Sequence, residues 1–395
     1  MDGDSAVAVD LFALPLGRVV PSVTGCTTLS PCAFRIPAGS AFQDGSPLTP
    51  AAVAKAIRRA WHQWGVASGC DAVVEGDRVV VTANRQGMGL LPFAPLDKPG
   101  PGGRWVGTGP YRVVRQTPSR VTLAAVRKGR QPDRIELTAV HGRRGVLARL
   151  LSGTVDVATS VPADHVRLLR SAARIGGTYP FRNLLMVLEF NERDPWLASA
   201  AVRRCVAAAL SRGFRLLRTR AQLDDLPAPF RSGRTGDDCP ATAASLPKGP
   251  VTMEVLQYGF TRLPAEAVIA TLGDLGLDVE PIAVPGRSRP PPLESPLRLS
   301  MINLNYPAGP IRYLHTGAVL NAGYHSDPKL DALLDAGAGW SDIQAEFVRS
   351  PPFVPLGILP RYVVTSSRFR VLTPAEMGPG PFSLGLAIRP ANEGP

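Results

Sequence analysis

The sequence predicts an α/β fold, and three observations carry that prediction. Residues 184–190, Leu-Leu-Met-Val-Leu-Glu-Phe, form a nearly continuous apolar run of strand length, as expected of a strand covered on both faces. Residues 251–257 and 277–283 read as strands flanking a helix over 264–275 that Gly276 stops, which is one β-α-β unit. Val53, Ile57, Ala60, Trp61 and Trp64 recur at helical spacing behind Thr49-Pro50, an N-cap followed by a first-turn proline. Strands and helices alternate along the chain, which is the signature of layered α/β architecture.

The remaining elements follow in order. Phe34 and Ile36 alternate as in a strand, and Asp44-Gly45 supplies a turn before the first helix. Residues 71–82 form two short strands around Gly76-Asp77, a hairpin signal. Pro92 to Gly103 is rich in Pro and Gly and reads as a linker. Strands are predicted near 111–115, 120–126 and 134–140, a helix over 143–152 closed by Gly153, and a short strand over 155–158. Ala198–Leu210 places Val202, Cys205, Val206 and Ala209 on one helical face. Residues 221–249 are irregular, and 285–296 form a second Pro-rich linker. A strand over 297–304, a helix over 327–336 and strands near 353–365 complete the chain, with no internal repeat.

The 395 residues are 45% hydrophobic and 19% charged, enough for two or three packed domains. No apolar run approaches the roughly 18 residues of a membrane-spanning helix. The net charge of +12 is unevenly spread: residues 101–220 carry 22 Lys+Arg against 7 Asp+Glu, while the flanking segments are near balance. Such a block attracts nucleic acid, acidic headgroups or an acidic partner, or is simply a basic solvated face. Aromatic residues are not interleaved with the arginines, so the solvated face is preferred and nucleic acid is not expected.

The amino-terminal segment lacks the basic n-region and uninterrupted apolar h-region of a secretory signal, since it opens Met1-Asp2-Gly3-Asp4 and Asp10 breaks its apolar stretch. Val23-Thr24-Gly25-Cys26 is similar to a lipid-attachment box, but without those flanks Cys26 is not read as an anchor. Five cysteines are too few for a disulfide scaffold; Cys26 and Cys32 could pair in an oxidising compartment, but separate thiols are the preferred expectation.

Chemistry-bearing motifs are missing. Gly107-Thr108-Gly109-Pro110-Tyr111 lacks the Lys-Ser/Thr of a phosphate loop and leads into a strand, so it reads as a turn. The five histidines show no i, i+4 pair and no cysteine at metal-ligand spacing. No nucleophile elbow accompanies Asp164-His165. Neither an enzyme nor a cofactor is expected.

Six segments, taken in order, resemble the bacterial extracellular solute-binding proteins of family 5, the oligopeptide- and dipeptide-binding components of ABC importers. These are Phe34-Arg35-Ile36 through Phe42-Gln43-Asp44-Gly45-Ser46-Pro47-Leu48-Thr49; Gly107–Tyr111; Leu151-Ser152-Gly153-Thr154-Val155-Asp156; Glu189-Phe190-Asn191; Ala201-Val202-Arg203-Arg204 through Ser211-Arg212; and Tyr324-His325-Ser326-Asp327-Pro328 through Leu334. The resemblance implies a two-lobed periplasmic-binding-protein-like fold of type II, the peptide-binder type, with a small accessory subdomain. Carried onto this chain, the accessory subdomain is 1–103, with the amino-terminal part of lobe I shortened; lobe I is 104–190 plus 352–395, and lobe II is 191–351.

It also implies a peptide or similar small polar solute held between closing lobes, permease subunits of the transporter as partners, and an extracytoplasmic location, or a cytoplasmic one if the start is as written. Contact with a membrane is expected only through the transporter or an anchor. The run Ile302-Asn303-Leu304-Asn305-Tyr306-Pro307 matches the family's Trp-x-x-Asp-Tyr-Pro element, whose Asp pairs with a peptide's amino terminus. Here Asn305 replaces the Asp, which shifts the expected ligand toward a blocked peptide, a sugar or another small polar solute. Asn305 and Tyr306 are the expected ligand contacts, with Phe190 and Asn191 at the hinge edge. The alternative reading is a cytoplasmic ligand-sensing or interaction module on the same fold, its basic 101–220 block meeting nucleic acid or another acidic partner.

Overall fold

Thr49 starts the first helix as its side chain predicts: the Thr49 hydroxyl accepts the Ala52 amide at 3.2 Å, and helix α1 spans Pro50–Trp64. The computed structural model describes residues 19–20, 23, 26, 31–64, 69–84, 87–88, 91, 94–100, 105–117, 119–126, 132–140, 143–169, 172–221, 246–257, 261–285, 292–303, 313–318, 320–336, 338–371 and 388–391. The chain forms two compact units, 1–179 with 362–395, and 180–361.

In the first unit, strand β1 (Cys32–Arg35) pairs antiparallel with β3 (Arg78–Thr82), which also pairs with β2 (Asp71–Glu75) in the predicted hairpin. Gly76 turns this hairpin at φ 61°, a left-handed value that glycine adopts without a Cβ clash. The α1 face of Val53, Ile57, Ala60 and Trp61 is buried together with Phe34, Val79 and Val81. Trp61, one of the largest fully buried side chains, satisfies its indole by donating to the Gly87 carbonyl at 3.0 Å.

Strand β4 (Asp97–Pro99) pairs with β5 (Trp105–Gly107), so part of the predicted linker is strand. Next come three antiparallel strands, β6 (Tyr111–Thr117), β7 (Arg120–Ala125) and β8 (Arg134–Thr138), with a bulge between Val113 and Arg115. Helix α2 (Arg143–Ser152), strand β9 (Val157–Pro162) and helix α3 (Ala163–Leu169) bury Leu150, Val161, Val166 and Leu169 with Val364.

The chain passes between the units inside its two longest strands, β10 (Ile175–Phe190) and β14 (Phe353–Ser366). In the second unit, helix α4 (Ala200–Ala221) follows β10, and β11 (Pro250–Gln257), helix α5 (Arg262–Gly273) and β12 (Asp278–Pro285) form the predicted β-α-β unit. β11 and β12 are parallel, as a helical crossover requires. Strand β13 (Leu297–Asn303), helix α6 (Pro328–Ala336) and helix α7 (Trp340–Arg349) precede β14, and the short pair β15 (Phe369–Val371) and β16 (Ile388–Pro390) belongs to the first unit.

The sheet of the second unit runs β12-β11-β13-β10-β14. Alternate residues of β10 enter opposite cores. Met186, Leu188 and Phe190 pack with Val206, Leu210, Val268 and Leu272, while Leu185 and Val187 pack with Leu330, Leu334 and Phe347. Burial on both faces explains why this strand reads as an unbroken apolar run.

The cysteines depart from the expected separate thiols. Cys26 and Cys32 form a disulfide with their Cα atoms 5.7 Å apart, and Cys205 is disulfide-bonded as well. Cys70 is a free, half-buried thiol whose pKa burial pushes up.

Candidate functional site

β13 leads directly to the expected ligand contacts. Its seven residues pair antiparallel with β10, from Leu297 opposite Phe190 to Asn303 opposite Leu184. Ile302 is 3% exposed and packs in the core with Leu185, Val187 and Leu314. This buried isoleucine therefore anchors the end of the strand in the core. Asn305 and Tyr306, two and three residues beyond β13, lie outside the described residues.

Phe190 and Asn191 are placed differently from the expectation of a hinge edge. The chain passes between the units near 179–180, ten residues earlier. Phe190 is fully buried, and its amide donates to the Pro352 carbonyl at 3.2 Å. Asn191 donates its side-chain amide to the Leu293 carbonyl at 3.2 Å and accepts the Arg193 amide at 3.1 Å. Phe190 ends β10 and Asn191 follows it, both buried in the second unit, where they hold backbone.

The segments that carry the family resemblance act as clamps. Gln43 donates to the carbonyls of Gly109 and Tyr111, and its own amide bonds the Gly107 carbonyl at 2.9 Å, so the first segment grips the Gly107–Tyr111 turn. Arg203 is 2% exposed and donates to Pro351 O at 2.9 Å, Leu197 O at 2.7 Å and Ser350 Oγ at 2.9 Å. Its Nη2 also lies 3.3 Å from Glu192, which in turn pairs with His325 Nδ1 at 2.5 Å. One buried arginine thus ties the start of α4 to the strand entry at 350–351.

A second buried cluster escaped the sequence reading. Arg298 of β13 is wholly buried and its Nε donates to Glu254 Oε2 of β11 at 2.7 Å. Glu254 Oε1 accepts the backbone amides of Glu294 and Ser295 at 3.2 and 3.0 Å. Glu189 of β10 lies further off, its Oε2 3.8 Å from Arg298 Nη1 and without a hydrogen-bond partner. Burial pushes the Glu189 carboxyl up to about 7 against the opposing pull of Arg298. Glu189 lines a cavity of about 10 Å³ together with Tyr313, Asn321, Gly323, Pro352 and Phe353. The signal for this cluster is a charged residue flanked on both sides by apolar ones in each of three strands: Met-Glu-Val, Leu-Arg-Leu and Leu-Glu-Phe. Among the described residues no three His, Cys, Asp or Glu side chains gather where they could hold a metal ion.

Residues 32–213 match the family model described as "Bacterial extracellular solute-binding proteins, family 5 Middle". Solved structures extend the likeness over nearly the whole chain. The binding protein AgaA of A. tumefaciens R10, in complex with agropinic acid, is 16% identical with a TM-score of 0.79, covering 99% of this chain and 95% of its own. DppA of Helicobacter pylori, in complex with the peptide STSA, is 13% identical with a TM-score of 0.76, covering 99% and 94%. NikA of Staphylococcus aureus, in complex with Ni(L-His)2, is 12% identical with a TM-score of 0.72, covering 90% and 86%. No curated protein matches the chain by sequence. At these identities the structural likeness establishes the fold, that of the two-lobed type II periplasmic binding proteins.

Proposed function

We propose that the chain is a bacterial extracellular solute-binding protein of family 5, the family whose model its residues 32–213 match, and that it captures a small peptide-like solute for an ABC-type importer. It is a binding protein and not an enzyme. The family match carries this reading over that of a cytoplasmic module contacting nucleic acid. The paired cysteines support it further, because disulfides persist in oxidising compartments outside the cytoplasm. Permease subunits of the importer are its proposed partners, in the cell envelope.

Peptides fit this fold because an extended backbone offers repeated hydrogen bonds that are indifferent to side chains. Asn305 and Tyr306 are the proposed contacts. An amide oxygen at 305 accepts a hydrogen bond from an ammonium without the charge-assisted part, a difference of about 1–2 kcal/mol. The ligand class therefore includes peptides with a blocked amino terminus, and small polar solutes of the opine and metal–histidine kind bound by relatives of the same fold.

Native mass spectrometry of the purified chain tests this directly. The probes are a free-amine tetrapeptide, its N-acetylated twin, an opine and Ni(II)-histidine. Narrow, low charge states with a releasable adduct of either peptide are expected. A folded chain that takes none of the peptides but retains an opine or the nickel complex would overturn the peptide assignment. A folded chain that takes no probe would overturn the ligand class as a whole. Replacing Asn305→Asp should tighten the free-amine peptide by about 5- to 30-fold, the conversion of that energy difference. Unchanged calorimetric affinity would remove Asn305 from the site.

A further inference from the structure

Two carboxylates, Glu189 and Glu254, face one guanidinium, Arg298, in the interior of the second unit, and all three are less than a tenth exposed. The three strands that carry them are neighbours in the order β11-β13-β10, so the groups meet on one sheet face. Arg298 is committed to Glu254, at 2.6 Å from Nη2 and 2.7 Å from Nε, and donates to the Pro292 carbonyl at 3.1 Å. Glu254 is saturated by that arginine and two backbone amides. Glu189 keeps the residue of the imbalance: when all three are ionised the cluster carries one net negative charge, and the orphan oxygen is on Glu189. A buried, incompletely paired carboxylate is costly, and taking up a proton is the cheapest relief.

The position of Glu189 gives the proton a mechanical consequence. The cavity that Glu189 lines is lined as well by Tyr313, the 320–323 turn and the entry of β14 at Pro352 and Phe353. The turn is held by a bond from the Glu192 amide, just past β10, to the Gly323 carbonyl at 2.9 Å and by one from the Leu293 amide, ahead of β13, to the Ala322 carbonyl at 3.1 Å. Charged groups acting on Glu189 are Arg298 from β13 and Glu254 from β11, with the Ser300 hydroxyl bonding the carboxyl; among the described residues that line the cavity with it, Tyr313 brings a phenol, and neither the 320–323 turn nor Pro352 and Phe353 bring a charge.

We propose that protonation of Glu189 locks the 320–323 turn against the ends of β10 and β14, and that ionisation of the same carboxyl loosens it. Water drawn toward the carboxylate competes for the space that the turn lines, so opening becomes easier as pH rises. The upward displacement of this carboxyl, to about 7, places the change in the neutral range.

Hydrogen exchange of the 320–323 amides, corrected for the intrinsic pH dependence, tests the latch on the full chain between pH 5.5 and 8.5. Protection should fall by about tenfold or more across that range in the wild type, on the scale of one pKa unit per factor of ten. Glu189→Gln should hold protection level, because its amide stays neutral throughout. The nearby Glu192–His325 pair is intact in that variant, so an equal pH slope in both proteins would assign the effect elsewhere and overturn the proposal. Carbon-13 NMR of glutamate-labelled wild type stands independently of the variant's folding. A glutamate carboxyl titrating in the neutral range supports the latch, whereas all carboxyls titrating below pH 6 would end it.

Discussion

Gly323 approaches Phe190 so closely that a Cβ on residue 323 would stand 2.1 Å from the Phe190 carbonyl oxygen. The contact is backbone against backbone, with the Glu192 amide donating to Gly323 O two residues further on. No side-chain rotation relieves such a clash, so the strand end or the turn must shift. Gly323→Ala is expected to destabilise the protein by about 1–3 kcal/mol, the usual cost of overfilling a packed site. Urea unfolding measures it, and an unchanged midpoint would show that the turn yields freely.

Arg298 gives a second prediction, because its burial makes the loss asymmetric. Arg298→Met removes the cation that lies beside both Glu189 and Glu254 and leaves the two carboxylates without it. Removing one partner from a buried ion pair costs about 3–5 kcal/mol. Combining it with Glu254→Gln and Glu189→Gln should return most of that loss, since the remaining groups are neutral. A triple variant as unstable as the single one would mean that the arginine's stem, rather than its charge, holds the sheet together.

How much of this was legible in the sequence depends on whether a residue speaks locally. Thr49-Pro50, Gly76 and Gly276 set φ and cap geometry within a few residues, and their elements form where predicted. The β-α-β unit was equally readable, since its helix period and strand lengths are local. Helix α7 was missed although Ile343 and Phe347 are spaced one turn apart and both buried. The first half of β10 was also missed, because Gly176, Gly177 and Pro180 argue against a strand on propensity. Gly176 is there because a Cβ would meet the Ser366 carbonyl oxygen at 2.7 Å, a long-range fact. The disulfides and the Arg298 cluster escaped for the same reason, as each joins residues by fold rather than by spacing. Phe190 and Asn191 carry a family signature, yet their side chains serve the core and the backbone.

The Cys26–Cys32 disulfide leads to a third prediction. It closes a loop with a sequence separation of 6, just where β1 begins. In the chain-entropy account so short a loop is worth about 2 kcal/mol. Replacing both cysteines with serine should lower the unfolding free energy by that amount. The same loss should appear in the wild type under reductant, over and above any change from the Cys205 disulfide. Equal stability of the double variant and the oxidised wild type would count against a stabilising role.

The turn before α1 supplies a pH prediction of opposite sign to that of Glu189. Asp44 accepts the Ser46 hydroxyl at 2.6 Å and pairs with Lys98 Nζ at 2.9 Å, and these bonds lower its carboxyl to about 2. The folded value is depressed below the ordinary 3.8, so the contribution is fully present above about pH 4. It is lost as pH falls through about 2. Lys98 also lies over the Phe42 ring at 4.8 Å, so its side chain is positioned independently of the aspartate. Lys98→Met should therefore raise the Asp44 value part of the way toward 3.8, while Ser46→Ala, which removes the larger cause, should raise it further. Carbon-13 NMR titration of the Asp44 carboxyl in the three proteins orders the two contributions. A larger shift from Lys98→Met than from Ser46→Ala would reverse the assignment and make the ion pair, rather than the hydroxyl, what fixes this turn.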